Sequence, residues 1–184
     1  MEESNLLAEG ASMSTSLDLG CGKEIRNPFN AESVFGIDII EQNLPNYAVA
    51  NLFREPIPFP DNSFDFVTAY DFIEHVPRQA FDMEKSRIPF VELMDEIHRV
   101  LKPGGIFFSD TPCIPEDLTR EGATRDLHLV FADPTHVNII SLYTYKFYFC
   151  TPYCWAKEYG FKGTFELCNQ EYRGMNLMST LRKV

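Results

Sequence analysis

The chain has 184 residues, 45% of them hydrophobic and 23% charged, with a formal net charge of −11. That is the balance of an ordinary globular domain, and a single domain of this length buries about 70% of its unfolded surface without covalent staples. The acidic excess argues against a nucleic-acid partner, which would draw on clustered Lys and Arg, and no apolar run approaches the roughly 20 residues of a membrane helix.

Residues 1–14, "MEESNLLAEGASMS", carry neither a basic nor an apolar leader region and read as a flexible lead-in rather than a signal peptide. Apolar runs at 15–19, 33–39, 46–50, 63–70 and 105–110 predict strands. Short buried runs separated by helical or loop segments indicate a parallel sheet covered on both faces. Between Gly22 and Val34 there is room for only a short helix, and between Asp38 and Asn46 for barely one turn. The clearest helix starts at Pro89, with Phe90, Leu93, Met94, Ile97, Val100 and Leu101 on one face. It stops at "KPGG", where Pro103 cannot continue it. His98 falls off the apolar stripe and reads as solvated.

The segment 113–141 is long, aperiodic and rich in proline and charge, a pattern that points to function in a compact domain. Tyr143, Tyr145, Phe147, Tyr148 and Phe149 read as packing residues of a helix, and Trp155 as core on a last helix. Two strands around "NQEYRG" then close the chain, which predicts a mixed sheet with an antiparallel edge. Cys21, Cys113, Cys150, Cys154 and Cys168 are odd in number and form no CxxC pair. That speaks against a disulfide framework or zinc site and for a reducing cytoplasm. The whole chain, 1–184, is expected to be one domain.

The stretch "SLDLGCGKEIRNPFNAESVFGIDI" raises the question of a ligand. Gly20 and Gly22 flank Cys21 directly after a strand, where glycine permits positive φ and close approach of backbone to ligand. A dinucleotide fingerprint would place a third glycine where Ile25 stands. Asp38 follows Gly20 by 18 residues, near the ~20 expected of an acid that takes ribose hydroxyls. A ligand with a ribose and no pyrophosphate fits this pattern, and S-adenosylmethionine is one.

The residues then meet a family. "LDLGCG", "FGIDI", "PIPFPDNSFDFVTAYDFIEHV" and "IHRVLKPGGIFFSDTP" resemble, in order and spacing, the motifs of class I S-adenosylmethionine-dependent methyltransferases over roughly residues 16–112. "RNPFNAESVFGIDI" and "DPTHVN" also resemble a bacterial branch often associated with surface-glycan genes. The resemblance implies a Rossmann-like, seven-stranded α/β sheet, mostly parallel, with a C-terminal antiparallel hairpin. It implies S-adenosylmethionine as cofactor and S-adenosylhomocysteine as product. It places Asp18 and the Gly20–Cys21–Gly22 backbone at the methionine part, Asp38 at the ribose, and Ile39, Asn51 and Leu52 at the adenine. Tyr70 and Asp71 would line the methyl-transfer side, and relatives often carry a helix before the first strand that helps cover the cofactor.

For the acceptor side, the candidates are His136 with Asp133 to orient it, and His75; both imidazoles suit proton removal at neutral pH. The segments 77–88 and 113–141 are candidates to cover the site, and 113–141 is read as a substrate-side insertion. A metal set of His75, His128, Asp133 and His136 lacks tight ligand spacing, so no metal is expected. The expected reaction is methyl transfer to an oxygen or nitrogen of a small-molecule or glycan-like acceptor. The alternatives are a catalytically silent cofactor-binding module and an NAD-dependent oxidoreductase. No nucleic-acid or membrane partner is expected, and the oligomeric state is not legible.

Overall fold

The structure is a computed structural model that describes residues 13–81 and 86–184. The expected lead-in over 1–14 therefore falls almost wholly outside the described residues. A seven-stranded sheet forms the centre: β1 (Thr15–Leu19), β2 (Ser33–Asp38), β3 (Tyr47–Val49), β4 (Phe64–Tyr70), β7 (Leu101–Pro112), β8 (Phe165–Arg173) and β9 (Asn176–Lys183). The order across it is β3-β2-β1-β4-β7-β9-β8. β3, β2, β1, β4 and β7 are parallel, while β9 runs antiparallel to both β7 and β8. The mostly parallel sheet with a C-terminal hairpin is thus as the sequence indicated. A two-stranded ribbon, β5 (Ala80–Phe81) and β6 (Ser86–Arg87), stands apart.

Helix α1 (Pro89–Val100) makes the crossover from β4 to β7, with Pro89 in its first turn and Phe90, Leu93, Met94, Ile97 and Val100 buried. Helix α3 (Leu142–Tyr148) packs on the same side. Phe90 lies 5.3 Å from Phe149 and 6.4 Å from Tyr145, and Phe107 of β7 lies 6.2 Å from Tyr145. Tyr145 is fully buried, and its hydroxyl is satisfied by Ser109 at 3.0 Å. The other face of β4 and β7 is covered by the loop after β1. Phe29 stacks on Phe66 at 4.4 Å, and the Arg26 guanidinium lies 4.8 Å from the Tyr70 ring centre.

The first two crossovers are as lean as the sequence indicated, with turns and no helix. Other expectations need correction. The strand expected from Gly105 starts at Leu101, and the register breaks between the Phe64–Leu101 and Phe66–Ile106 pairs, so "KPGG" is an excursion within β7. His98 is not solvated: it packs edge-on against Phe165 at 5.2 Å and Phe161 at 6.1 Å, and its Nε2 is buried with no hydrogen-bond partner. Trp155 lies on a short 3-10 segment, Trp155–Tyr159, and is 47% exposed rather than core. The segment 113–141 contains a helix, α2 (Ala123–Val130). Its apolar spacing at Ala123, Leu127 and Val130 is hidden in sequence by Arg120 and Arg125, which both pair with the buried Asp126. All five cysteines are free thiols.

Candidate functional site

The carboxyl ends of β1, β2, β3 and β4 open onto one cavity of about 220 Å³. Open parallel sheets bind ligands at this place. Its walls bring together Gly20, Asp38, Ile39, Asn51, Leu52, Asp71 and His75, seven of the positions singled out from sequence. A larger cleft of about 360 Å³ lies between α1 and α3, with Arg78, Phe90 and Tyr148 in its walls, but holds no residue of the glycine turn.

The glycine turn is built from several bonds. Gly20 and Gly22 have φ of +64° and +59°. Cys21 N–H donates to the Ile37 carbonyl at 3.1 Å. Gly22 N–H donates to Asp38 Oδ2 at 2.9 Å, and Ile40 N–H to Asp38 Oδ1 at 3.0 Å. Asp38 therefore braces the turn, while each carboxylate oxygen keeps a second lone pair for a ligand. Ile25, in the third-glycine position of a dinucleotide fingerprint, packs onto Gly36, where a Cβ would meet its side chain at 2.8 Å.

Asp18, Cys21, Gly22 and Tyr70 do not line the cavity. Asp18 is fully buried, and both its oxygens are used inside the protein: Thr68 Oγ1 donates to one at 2.7 Å, Arg26 N–H to the other at 2.9 Å. Burial pushes its carboxyl above the usual carboxylate range despite those two bonds. The physical reason for its place in the motif is that it ties the loop 20–26 to β1 and β4. Burial likewise raises the Cys21 thiol to about 11, so it is a packed thiol and not a nucleophile. Tyr70 faces Arg26 and Phe108 on the opposite side of the sheet.

Sequence reasoning passed over Phe53 and Phe72, which form the cavity's aromatic wall, with ring centres 6.1 Å apart. The available signal was position: Phe72 directly follows Asp71 in "YDFIEHV". Glu74 was also passed over. It is 1% exposed in the 3-10 turn Ile73–His75, and burial pushes its carboxyl upward.

The chain 133–140 docks against this turn. Val137 N–H and Asn138 N–H both donate to the Glu74 carbonyl, at 2.9 and 2.8 Å. Asn138 Nδ2 donates to the Ile73 carbonyl at 3.1 Å, and Arg78 Nε donates to Asn138 Oδ1 at 2.6 Å. As a result the His75 and His136 rings meet, 5.0 Å apart. Asp133 Oδ2 lies 3.7 Å from His136 Nε2. The ring orientation of His136, however, is set by its Nδ1–H, which donates to the Val130 carbonyl at 2.8 Å. His128 is exposed on α2, apart from this group.

A sheet in this order, closed by an antiparallel hairpin and with a ligand cavity at the ends of β1, β2 and β4, defines a class I S-adenosylmethionine-dependent methyltransferase fold. The family model described as "Methyltransferase domain" matches residues 17–109, and the chain belongs to that family. A C-methyltransferase of ubiquinone and menaquinone biosynthesis from Rickettsia prowazekii is 31% identical over 144 residues, 70% of this chain and 51% of that protein. The chain spans about half the length, or less, of the curated relatives it matches. Among solved structures, a Haloferax volcanii methyltransferase in complex with the Trm112 activator superposes with a TM-score of 0.59 at 16% identity, covering 92% of this chain and 82% of that one. A Mesorhizobium loti S-adenosylmethionine-dependent methyltransferase gives 0.56 at 18% identity, covering 96% and 93%. At these identities the structural likeness concerns the fold. Among the described residues, no helix is long and apolar enough to cross a membrane.

Proposed function

We propose that this chain transfers the methyl group of S-adenosylmethionine to an oxygen or nitrogen of a small-molecule or glycan-like acceptor. The observation that carries the reading is the cavity at the strand ends, where Asp38, an exposed Ile39 and the pair Asn51–Leu52 line one side and Asp71 and His75 the other. In this assignment Asp38 accepts the ribose hydroxyls through its remaining lone pairs. Ile39, 57% exposed although apolar, lies against the adenine. Asn51 and Leu52 border the same ring, Gly20 and Gly22 present backbone to the methionine part, and Asp18 and Cys21 shape that turn from behind. The bound cofactor supplies an electrophilic sulfonium methyl.

The acceptor's lone pair forms the new bond to the methyl carbon as the carbon–sulfur bond breaks, its electron pair going to sulfur. Holding the two partners in line at near-attack distance supplies much of such an acceleration. A hydroxyl acceptor also gives up a proton. His75 is the better-placed base, because it lines the cavity whereas His136 sits behind it. Asp133 and His136 then support His75, and the segment 113–141 forms the acceptor-side wall.

The curated relative's name, a C-methyltransferase, supports a second reading, methylation of a carbon acceptor. Calorimetry with S-adenosylmethionine and S-adenosylhomocysteine, followed by an acceptor screen with labelled cofactor, tests the proposal. Binding with turnover supports it, binding without turnover on any acceptor favours the silent module, and tight NAD binding instead of either ligand refutes it.

A further inference from the structure

We propose that Glu74, His75 and His136 form a binding site for a divalent first-row transition-metal ion beside the cofactor cavity, with Asp133 at its rim. One donor atom from each of the three residues lies within 4.8 Å of the others. Ligands sharing one ion at bonds of about 2.0–2.2 Å stand at most about 4.4 Å apart, so small side-chain rotations close the set. Local spacing in sequence gave no hint of it, since His136 lies 61 residues beyond His75.

The independent observation is Glu74. Its Oε2 accepts a hydrogen bond from Thr111 Oγ1 at 2.7 Å. Its Oε1 is buried with no partner and lies 4.0 Å from His75 Nε2. A buried carboxylate oxygen without a partner is costly, and a cation between it and the imidazole removes that cost.

The two rings are prepared in the same sense. His75 Nδ1 lies 3.2 Å from the Thr135 carbonyl and 3.0 Å from Thr135 Oγ1. Thr135 Oγ1 gives its own proton to Asp133 Oδ1 at 2.6 Å, so it can only accept from His75. His136 Nδ1 faces the Val130 carbonyl, which also only accepts. Both rings therefore carry the proton on Nδ1 and keep the Nε2 lone pair free, the state in which imidazole binds metals. Thr111, Thr135 and Val130 are thus the groups that orient the three ligands. Two imidazoles and one carboxylate suit Zn²⁺, Fe²⁺, Co²⁺ or Mn²⁺ better than Ca²⁺ or Mg²⁺, which favour all-oxygen shells. Three protein ligands leave coordination positions open, as in catalytic rather than structural sites.

Metal binding stands on these residues alone, whereas its use rests on the methyl-transfer reading. With an ion on His75 Nε2, that nitrogen no longer accepts a proton. An acceptor hydroxyl bound to the ion would lose its proton to water because coordination lowers its pKa.

The test uses chelator-stripped full chain, titrated with Zn²⁺ by calorimetry and with Co²⁺ by visible absorption. One ion per chain with cobalt ligand-field bands is expected. The nearly isosteric Glu74→Gln is the deciding variant, because His136→Ala also removes the bond to Val130; each should weaken binding at least about tenfold, and Thr111→Val about 10- to 100-fold. No saturable uptake by the folded wild type, or uptake unchanged in Glu74→Gln, overturns the site. S-adenosylhomocysteine binding is measured on the same stripped protein. Its loss alone would refute the methyltransferase reading and leave the metal site standing; intact cofactor binding without metal uptake would do the reverse.

Discussion

Gly20 and Gly22 both have positive φ, yet the structure assigns them different costs. A Cβ at Gly22 meets nothing within 4 Å, whereas one at Gly20 meets the Phe72 ring, with Cδ2 at 2.4 Å, Cγ at 2.8 Å and Cβ at 3.0 Å. Gly22→Ala should therefore lose only the left-handed backbone term, about 1–2 kcal/mol. Gly20→Ala loses the same term and must also displace Phe72 from its stack on Phe53. Because the contact involves Cβ and Cγ, flipping the ring does not relieve it. Overpacking of this kind adds about 1–3 kcal/mol, for a total of about 2–5 kcal/mol. Urea unfolding of Gly20→Ala, Gly22→Ala, Phe72→Ala and Gly20→Ala/Phe72→Ala measures this. The cycle should show a coupling of about 1–3 kcal/mol between positions 20 and 72. Equal losses for the two glycines, or strict additivity of Gly20→Ala and Phe72→Ala, would refute the assigned packing of Phe72 on the turn.

Asp38→Ala should weaken S-adenosylmethionine binding at least about tenfold, since loss of a bond to a charged group costs roughly 1.5–3 kcal/mol; wild-type affinity by calorimetry would remove Asp38 from the ribose. Burial pushes Asp65 upward, but the Lys102 ammonium and two bonds from Thr15 outweigh it and hold its carboxyl below 3.8. Its contribution is present above pH 3.8 and lost as pH falls through the lowered value, so Asp65→Asn should be about 1 kcal/mol less stable at neutral pH, given its partial exposure, and no less stable in strong acid. His98 has the opposite polarity of charge and the same direction of pH response. Burial, with Lys183 second, holds its imidazole below 6.5, so the unfolded chain takes up the proton first and the wild type loses stability as pH falls below 6.5. Thermal unfolding of His98→Leu between pH 7 and pH 5 should lack that slope, and an unchanged slope would mean that the ring is hydrated in the fold.

What the sequence disclosed is what depends on local periodicity and on short motifs. The parallel strands, α1 and the final hairpin each announce themselves through apolar spacing and a glycine or proline stop. Gly20 follows β1 directly, Asp38 ends β2, Asn51 lies just beyond β3 and His75 closes the 3-10 turn after β4, and strand ends in such a sheet point to one place. Asp18 shows the limit of that logic. A motif position can matter because its side chain ties a loop together, and only the bonds to Thr68 and Arg26 reveal that role. His98 failed for a related reason: a helix face off the main stripe reads as solvent until β8 arrives from much later in the chain to bury it against Phe165.

The histidine pair lies beyond any local rule. His75 was placed by its strand, and His136 was linked in sequence to Asp133. That pairing is real in space, at 3.7 Å, yet it does not orient the ring. The decisive bonds are the two backbone donations from Val137 and Asn138 to the Glu74 carbonyl, which bring a distant loop onto the turn after β4. Once that loop is docked, a buried carboxylate and two imidazoles come together beside the cavity, whose wall includes His75. In the proposed assignment the strand ends hold the cofactor, and the docking of 133–140 on Glu74 sets which groups face its partner. Substitutions that loosen this docking, such as Asn138→Ala, should therefore leave S-adenosylhomocysteine affinity intact while lowering turnover and metal uptake together. If cofactor affinity fell in parallel with them, the loop would belong to the cofactor side instead.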